Sequence, residues 1–100
     1  MGADGERLDK WLWHARFFRT RAAAQRACTV GAVRVNRERV DKSHRAVRAG
    51  DVLTFVAGHA VRVVRVRAFA SRRGSVEAAR ALYEDVTLPE ALPPLRHLAR

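Results

Sequence analysis

The sequence predicts an α+β domain: two helices, then a small, mainly antiparallel sheet, then a further C-terminal helix. The apolar period is 3.6 residues up to Thr29 and changes to 2 from Ala32 onward, which indicates helices followed by strands. The chain has 100 residues, of which 48% are apolar, so it fits a single domain with a usable core and not a disordered basic tail.

The first helix is expected from about Leu8 to Phe18. Apolar residues recur there at the spacing of one helical face, namely Leu8, Trp11, Leu12 and Ala15. With this face turned to the core, Lys10 and His14 are expected to lie well away from it.

The second helix is expected from Arg21 to Thr29, after a very short connection. Thr20 is a good N-cap, and Gly31 stands where a helix commonly ends on a left-handed residue. Cys28 shares the apolar side of this helix, so we expect it to be inert packing. The two helices together form a helical hairpin.

About four strands follow, because β-branched residues alternate and turn residues separate them. The first predicted strand segment begins at Ala32, the second resumes at Val40 and continues at Val47 after a polar stretch, and the others begin at Val52 and Val61. The predicted turns are Asn36-Arg37, Gly50-Asp51 and Gly58-His59. The last run is the longest, and it ends near Val66.

A third helix is expected from a Ser75 cap to about Glu84. Its predicted apolar face is formed by Val76, Ala79, Leu82 and Tyr83. Prolines after residue 88 argue against regular structure there. The predicted organisation is a flexible lead (1–6), a binding domain with its strands (7–69), a loop and C-terminal helix (70–88) and an irregular tail (89–100).

The charge balance points to a polyanionic partner. The chain has 20 Lys or Arg against 10 Asp or Glu, a net charge of +10, and 12 of these bases lie in residues 1–50. A clustered, unpaired basic excess is typical of nucleic-acid binding, although a charge run is also compatible with an ordinary solvated face. No segment resembles a membrane span or signal, and one cysteine forms no disulfide framework, so a cytoplasmic protein without a membrane partner is expected.

The excess is concentrated on the two helices and the turn between them. With the apolar face inward, the polar residues left outside form one continuous patch: Arg7, Lys10, Arg16, Arg19, Arg21, Gln25 and Arg26. Trp13 and Phe17 lie one turn apart beside it. Stacking on RNA bases is one interpretation of that pair, and packing against another element is the favoured one.

Catalytic and metal sites are not predicted. Cys28 and the four histidines show no metal-ligand spacing, the acids are scattered, and there is no phosphate-cradling glycine loop or nucleophile elbow. We therefore expect neither an enzyme nor a cofactor.

Several short motifs occur in a recognisable order: Arg7-Leu8-Asp9-Lys10, Arg16, Arg19-Thr20-Arg21-Ala22, Gly31 to Asn36, Lys42 and Gly50-Asp51. In this order they resemble the S4-type (S-four) RNA-binding domain, the alpha-L motif, over roughly residues 7 to 55. Arg72-Arg73, Ser75 to Ala79 and Leu82 to Glu84 extend the resemblance to the ribosome-associated heat shock protein fifteen family.

The resemblance implies a two-helix alpha-L motif on a sheet, no enzymatic activity, and binding to rRNA of the large ribosomal subunit. It further implies a role in stress and ribosome rescue, on subunits that still hold a nascent chain on tRNA, with peptidyl-tRNA as a further partner. Its RNA-binding residues correspond here to Arg7, Lys10, Arg16, Arg19, Thr20, Arg21, Gln25, Arg26, Asn36 and Lys42. Arg37 replaces the family's turn glycine after Asn36, which predicts a wider turn.

Other functions stay open at this point. A winged-helix DNA-binding protein has a similar element order, but the second helix, AAAQRACT, offers few side chains that read bases. Non-specific DNA binding and general structured-RNA binding are further alternatives. An enzyme appendage is disfavoured by the chain length, and a domain that binds an acidic protein also fits the charge. A monomer is expected.

Overall fold

The structure is a computed structural model that describes residues 5–87. Its elements, in chain order, are β1 (Gly5–Arg7), α1 (Leu8–His14), α2 (Arg21–Thr29), β2 (Val33–Val35), β3 (Glu38–Arg39), β4 (Ala46–Arg48), β5 (Val52–Ala57), β6 (Ala60–Val66), α3 (Val76–Arg80) and β7 (Tyr83–Asp85). The predicted α+β class with a mainly antiparallel sheet is confirmed.

Two antiparallel sheets support the helices. The larger has five strands in the order β3-β2-β5-β6-β7, and β1 pairs with β4 in a separate two-stranded sheet. The long β5–β6 hairpin runs in register from Val52↔Arg65 to Ala57↔Ala60. Because successive side chains in a strand point to opposite faces, one face of this hairpin supplies core residues.

The core lies between α1, α2 and the inner face of the larger sheet. Trp11 is fully buried, and its indole Nε1 donates a hydrogen bond of 2.9 Å to the backbone oxygen of Ala68. The other core residues within the described part include Leu8, Leu12, Ala24, Cys28, Val33, Val35, Val47, Leu53, Phe55, Val64 and Val66. The first-helix face predicted from Leu8, Trp11, Leu12 and Ala15 is therefore confirmed.

Helix α1 ends at His14, four residues before the predicted Phe18. The backbone N–H of Phe17 bonds to the oxygen of Leu12, and that of Arg16 bonds to the oxygen of Trp13. These two bonds form a Schellman ending, which needs a left-handed residue, and Arg16 takes that conformation with φ 66°. The expected boundary was wrong because an arginine occupies a position that glycine usually marks.

Helix α2 runs from Arg21 to Thr29, as predicted. The Thr20 hydroxyl accepts a hydrogen bond of 3.0 Å from the backbone N–H of Ala23, which confirms the N-cap. Gly31 has φ 79° and closes the helix with a second Schellman ending, so its predicted role is also confirmed.

The turn after β2 keeps two residues. Val35 pairs with Glu38, so only Asn36 and Arg37 lie between the strands, with φ 51° and 75°. Two positive φ angles are those of a type I′ turn. The wider turn predicted from the missing glycine was wrong, because Arg37 adopts the left-handed conformation that glycine adopts more easily.

The C-terminal helix is shorter than predicted. Helix α3 ends at Arg80, and Tyr83–Asp85 form strand β7 on the edge of β6. Ion pairs of 2.9 Å join Glu84 to Arg65 and Asp85 to Arg62. The prediction of helix to Glu84 was wrong because pairing with β6 satisfies this backbone. Of the predicted helix face, Val76 is 49% exposed, whereas Ala79 and Leu82 are buried.

Of the predicted flexible lead (1–6), residues 1–4 lie outside the described residues, and the last two are not a flexible lead. Gly5 and Glu6 belong to strand β1 and pair with Arg48 and Val47 of β4. The predicted tail, 89–100, lies outside the described residues, and the boundary at 69/70 stays a prediction. Among residues 5–87, no helix has the length and apolar character needed to cross a membrane.

Candidate RNA-binding surface

A buried carboxylate lies at the centre of the predicted patch. Asp9 has no exposed surface, and its oxygens accept hydrogen bonds of 3.1 Å from both Nε and Nη2 of Arg7. Nε of Arg21 lies 3.6 Å from Oδ2 of Asp9. The backbone N–H of Lys10 donates a further bond of 2.7 Å. Asp9 thus links the start of α1 to the start of α2.

Asp9 is ionised in this setting. Burial by itself would raise the pKa of its carboxyl, but the hydrogen bonds and charge of Arg7, the nearby amide of Gln25 and the backbone N–H of Lys10 outweigh burial and lower the pKa. Arg7, Arg21 and Gln25, three residues predicted to contact RNA, therefore converge on one negative charge.

The two arginines keep outward donors. Arg7 uses one side of its fork on Asp9 and is 45% exposed, while Arg21 presents only Nε to Asp9 and is 37% exposed. The terminal nitrogens of Arg21 and Nη1 of Arg7 thus have no acidic partner within residues 5–87. Two cations around one anion leave the pair positive, with its side chains held in one geometry. We call Arg7, Arg21 and Asp9 the arginine pair and its carboxylate.

Other basic residues surround this pair. Lys10, Arg19 and Arg26 form no ion pair in the described part of the chain, and the last two are exposed. Lys42 is exposed on the loop beside the start of α1, where the oxygens of Ser43 and Arg45 accept bonds from Asp9 and Leu8. Both helices and this loop therefore border one basic surface.

Two of the predicted RNA-binding residues have structural tasks. The Thr20 hydroxyl caps α2. The side-chain oxygen of Asn36 accepts a bond of 2.9 Å from the backbone of Val52, and its nitrogen donates one of 3.0 Å to Asp51. Both ends of the Asn36 amide are thus engaged in joining the β2–β3 turn to β5.

Arg16 is tied to the segment before α3. Its Nη1 donates a bond of 2.8 Å to the backbone oxygen of Gly74. In return, Arg73 donates bonds of 3.0 and 3.2 Å to the backbone oxygens of Trp13 and Phe18. The connection between α1 and α2 is therefore fixed by contacts from outside the helical hairpin.

The left-handed backbone of Arg16 leads to a prediction. Glycine adopts this conformation without steric conflict, whereas alanine is worse by about 1 kcal/mol. We expect Arg16→Gly to melt at a higher temperature than Arg16→Ala by roughly 4–8 °C, while both variants lose RNA affinity to the same extent. Thermal melting and RNA titration of the two variants test this. Equal melting temperatures would show that the backbone at Arg16 is not strained.

The aromatic residues beside the patch pack within the protein, as favoured above. The Phe17 ring lies 4.9 Å from that of Phe55 and 4.6 Å from that of Tyr83. The guanidinium of Arg73 lies 5.7 Å from the centre of the Trp13 ring, and the His14 ring lies 5.3 Å away. Neighbouring side chains therefore already contact the Trp13 ring, which weighs against base stacking there.

A second buried polar pair lies behind the patch. His14, predicted to point away from the core, is only 2% exposed, so that prediction was wrong. Its Nδ1 lies 3.6 Å from Oε2 of Glu6 and has no hydrogen-bond partner within the described residues. Burial, and then the charges of Lys10 and Arg21, lower the pKa of His14. Burial raises the pKa of Glu6 against the opposing effect of the same two cations.

His14 should make stability depend on pH. Its folded pKa lies below the ordinary 6.5, so the unfolded chain binds the proton more readily and the stabilisation is lost as pH falls through 6.5. When the pH is lowered from about 7.5 to about 5.5, the melting temperature of the wild type should fall more than that of His14→Gln. Glu6 acts in the opposite direction, because its raised pKa favours the folded state at low pH. His59→Gln, an exposed control, should keep the wild-type slope, and a wild-type slope in His14→Gln would contradict the prediction.

Sequence reasoning missed four residues here: Asp9, Glu6, His14 and Arg73. A lone acid among basic residues, as in Arg-Leu-Asp-Lys, is a signal that Asp9 neutralises neighbours. No comparable signal marks Arg73, because its contacts cross about 55 residues of sequence.

No metal or nucleophile site competes with this surface in the part of the chain that the structure describes. No group of three His, Cys, Asp or Glu is arranged to hold a metal ion among residues 5–87. Burial, followed by the charge of Asp9, raises the pKa of the Cys28 thiol to about 11, so the thiol is protonated and unreactive at neutral pH.

Comparison with known proteins identifies the family. The family model described as "S4 domain" matches residues 6–53, which contain both helices and the surface around Asp9. The structure of heat shock protein 15 from Vibrio cholerae is similar with a TM-score of 0.78 and 31% identity, over 88% of this chain and 86% of that one. This chain belongs to the heat shock protein 15 family. Both resemblances seen in the sequence are thereby confirmed.

Heat shock protein 15 relatives are also similar in sequence. The homologue from Aeromonas salmonicida is 42% identical and the protein from Escherichia coli K12 is 40% identical, each over 79 residues. The matched segment covers 79% of this chain but only 59% of either relative. The V. cholerae protein is described as trimeric, which contradicts our expectation of a monomer.

Proposed function

We propose that this heat shock protein 15 family member binds structured RNA, and that its target is rRNA of the large ribosomal subunit. The observation that carries the proposal is the arginine pair and its carboxylate: Asp9 accepts two hydrogen bonds from Arg7 and forms an ion pair of 3.6 Å with Arg21, while both arginine side chains stay partly exposed. Membership of the S4 domain family gives the surface its ligand class.

The expected mechanism is recognition of backbone phosphates by shape and charge. Arginine forks match phosphate oxygens, and the unpaired Lys10 and Arg26 add attraction around the pair. Holding a side chain in place beforehand reduces the conformational entropy lost on binding. The side chains on α2 include few that read base edges, so we expect recognition of RNA form with little sequence preference.

A more specific role than RNA binding is suggested by membership of the heat shock protein 15 family. We propose that the protein acts in the cytoplasm on large subunits that keep a nascent chain on tRNA after the subunits separate, with peptidyl-tRNA as a second contact. Such a role fits rescue of stalled subunits under stress. It assigns no chemical reaction and no cofactor to the protein.

Co-sedimentation with separated large subunits tests the function. Subunits that carry peptidyl-tRNA and empty subunits are compared over a salt series, because phosphate contacts weaken steeply as salt rises. Preference for loaded subunits is the expected result. Equal, weak and salt-sensitive binding to both would leave a general RNA-binding protein and refute the rescue role. Nuclease treatment separates the two classes of partner, because it abolishes co-sedimentation if the partner is RNA and leaves it intact if the partner is a protein.

Non-specific DNA binding is the competing function. The same phosphate contacts would hold duplex DNA, but the family match and the lack of base-reading side chains on α2 favour RNA. Competition between an RNA hairpin and a DNA duplex of equal charge distinguishes them, because a surface shaped for RNA should prefer the hairpin at every salt concentration.

Self-assembly is proposed in place of a monomer, on the basis of the trimeric V. cholerae relative. Sedimentation equilibrium of the full chain measures this directly. A mass three times the 11.2 kDa of the chain is expected, and a mass of one chain at all concentrations would contradict it.

A further inference from the structure

The segment after β6 carries positive charge that the matched S4 domain does not include. Residues 67–80 contain four arginines and one acid, and they follow the matched range of 6–53. One of these arginines, Arg73, bonds to the connection between α1 and α2, and Arg72 precedes it in the chain. We define the arginine seam as the two arginines that bond across the two segments, Arg16 and Arg73, together with Arg19, which follows the acceptor Phe18, and Arg72, which precedes Arg73.

We propose that the arginine seam binds RNA phosphate, so that the basic surface of the two helices extends beyond the S4 domain onto Arg72 and Arg73 in the segment before α3. This inference rests on the proposed RNA-binding function. It assigns a role to Arg72 and Arg73 that the resemblance did not include among the RNA-binding residues.

Hydrogen bonds to backbone oxygens hold the seam together. Arg16 donates to the Gly74 oxygen, and Arg73 donates to the oxygens of Trp13 and Phe18. These acceptors are all neutral carbonyls. The bonds therefore fix both guanidinium groups without neutralising either charge. The remaining nitrogens, Nε and Nη2 of Arg16 and Nη1 of Arg73, donate no hydrogen bond within residues 5–87.

The seam arginines differ from arginines on the sheet in their lack of acidic partners. On the sheet, Arg62 and Arg65 lie 2.9 Å from the carboxylates of Asp85 and Glu84. None of the four seam arginines forms an ion pair with an acid of the described chain. Burial, and then the charge of Arg16, lower the pKa of Arg73, so the two cations repel each other.

The seam also combines an unfavourable backbone conformation with exposed charge. Arg16 keeps a left-handed backbone that glycine would adopt more easily, yet its side chain reaches the segment before α3. Arg19 and Arg72, which adjoin Phe18 and Arg73 in the chain, are exposed. Packing alone does not require four like charges at one place, whereas a polyanion relieves their repulsion and releases counterions when it binds.

The test compares two double variants that remove equal charge. Arg72→Gln with Arg73→Gln alters the seam, whereas Arg34→Gln with Arg39→Gln alters two exposed arginines that face each other on β2 and β3, away from β6 and β7. Each protein is titrated with a structured RNA hairpin over a salt series, and its melting temperature is recorded. Arg72→Glu is the fallback if the seam variant unfolds, because Arg72 is exposed and makes no recorded side-chain contact within residues 5–87.

The seam variant should bind RNA about tenfold more weakly and lose roughly 1.5 from the slope of log affinity against log salt, while the sheet variant changes less. Equal losses in both variants would show a simple effect of net charge and overturn the proposal. If the seam variant keeps the wild-type RNA affinity while the double variant Lys10→Gln and Arg26→Gln binds RNA more weakly, the role of the seam is overturned. The proposed RNA-binding function of the protein is then retained. Unchanged RNA affinity with lost ribosome co-sedimentation would assign the seam to an acidic protein instead, and so also overturn it.

Discussion

Asp9→Asn is expected to weaken RNA binding by about tenfold, although it makes the protein more positive by one charge. In the wild type, the carboxylate fixes Arg7 by two bonds of 3.1 Å and holds Arg21 at 3.6 Å. An amide of the same size does not hold both cations. Each freed arginine then loses about 0.5–1.5 kcal/mol of rotamer freedom on binding, and the two guanidinium groups repel each other in the free protein.

Attraction by net charge alone predicts the opposite sign, which makes this variant informative. Asp41→Asn is the matched control, because Asp41 is an exposed acid with no ion-pair partner in the described part of the chain. RNA titrations of both variants, with melting curves to confirm folding, give the comparison. Equal or tighter binding by a folded Asp9→Asn protein would show that Asp9 does not position the arginines.

Leu12→Ala is expected to destabilise the fold by about 2–5 kcal/mol. Leu12 is fully buried in the core beneath α1, between the helices and the sheet. Truncation removes buried apolar surface and leaves a cavity that the neighbouring side chains fill only in part. For a domain of this size we expect the melting temperature to fall by roughly 10–30 °C.

Val30→Ala is the control for that truncation, because Val30 is 63% exposed at the end of α2. Its melting temperature should stay within a few degrees of the wild type. The RNA affinity of Leu12→Ala, measured at a temperature where the variant is folded, should be unchanged, since Leu12 does not reach the surface. A wild-type melting temperature for Leu12→Ala would contradict the placement of α1 against the core.

The sequence predicted those parts of the fold that are determined by residues close together in the chain. Thr20 and Gly31 set the ends of α2, because a hydroxyl cap and a left-handed glycine act within a few residues of sequence. The end of α1 was missed because Arg16 takes the left-handed position, held by Gly74 from across the fold. Tyr83–Asp85 were read as helix because the open edge of β6, which pairs with them, is not a local feature.

At the candidate site, too, local features were predicted from the sequence and long-range contacts were not. The basic residues of the two helices were found from charge and helical spacing, since both are properties of the sequence. The convergence of Arg7, Arg21 and Gln25 on Asp9 depends on how α1 crosses α2, and sequence spacing does not give that crossing. His14 was placed outside because the predicted face was too narrow, and Arg73 was missed because its contacts are long-range.

The measurement that tests RNA binding through this surface most directly is titration of a structured RNA hairpin over a salt series. It compares the wild type with the double variant Lys10→Gln and Arg26→Gln. Neither side chain has an acidic partner within residues 5–87, so the variant removes charge from the patch and leaves the core intact. The affinity should fall about tenfold and the salt slope by roughly 1.5, with an unchanged melting temperature. Unchanged affinity and slope would place the RNA-binding surface elsewhere on the protein.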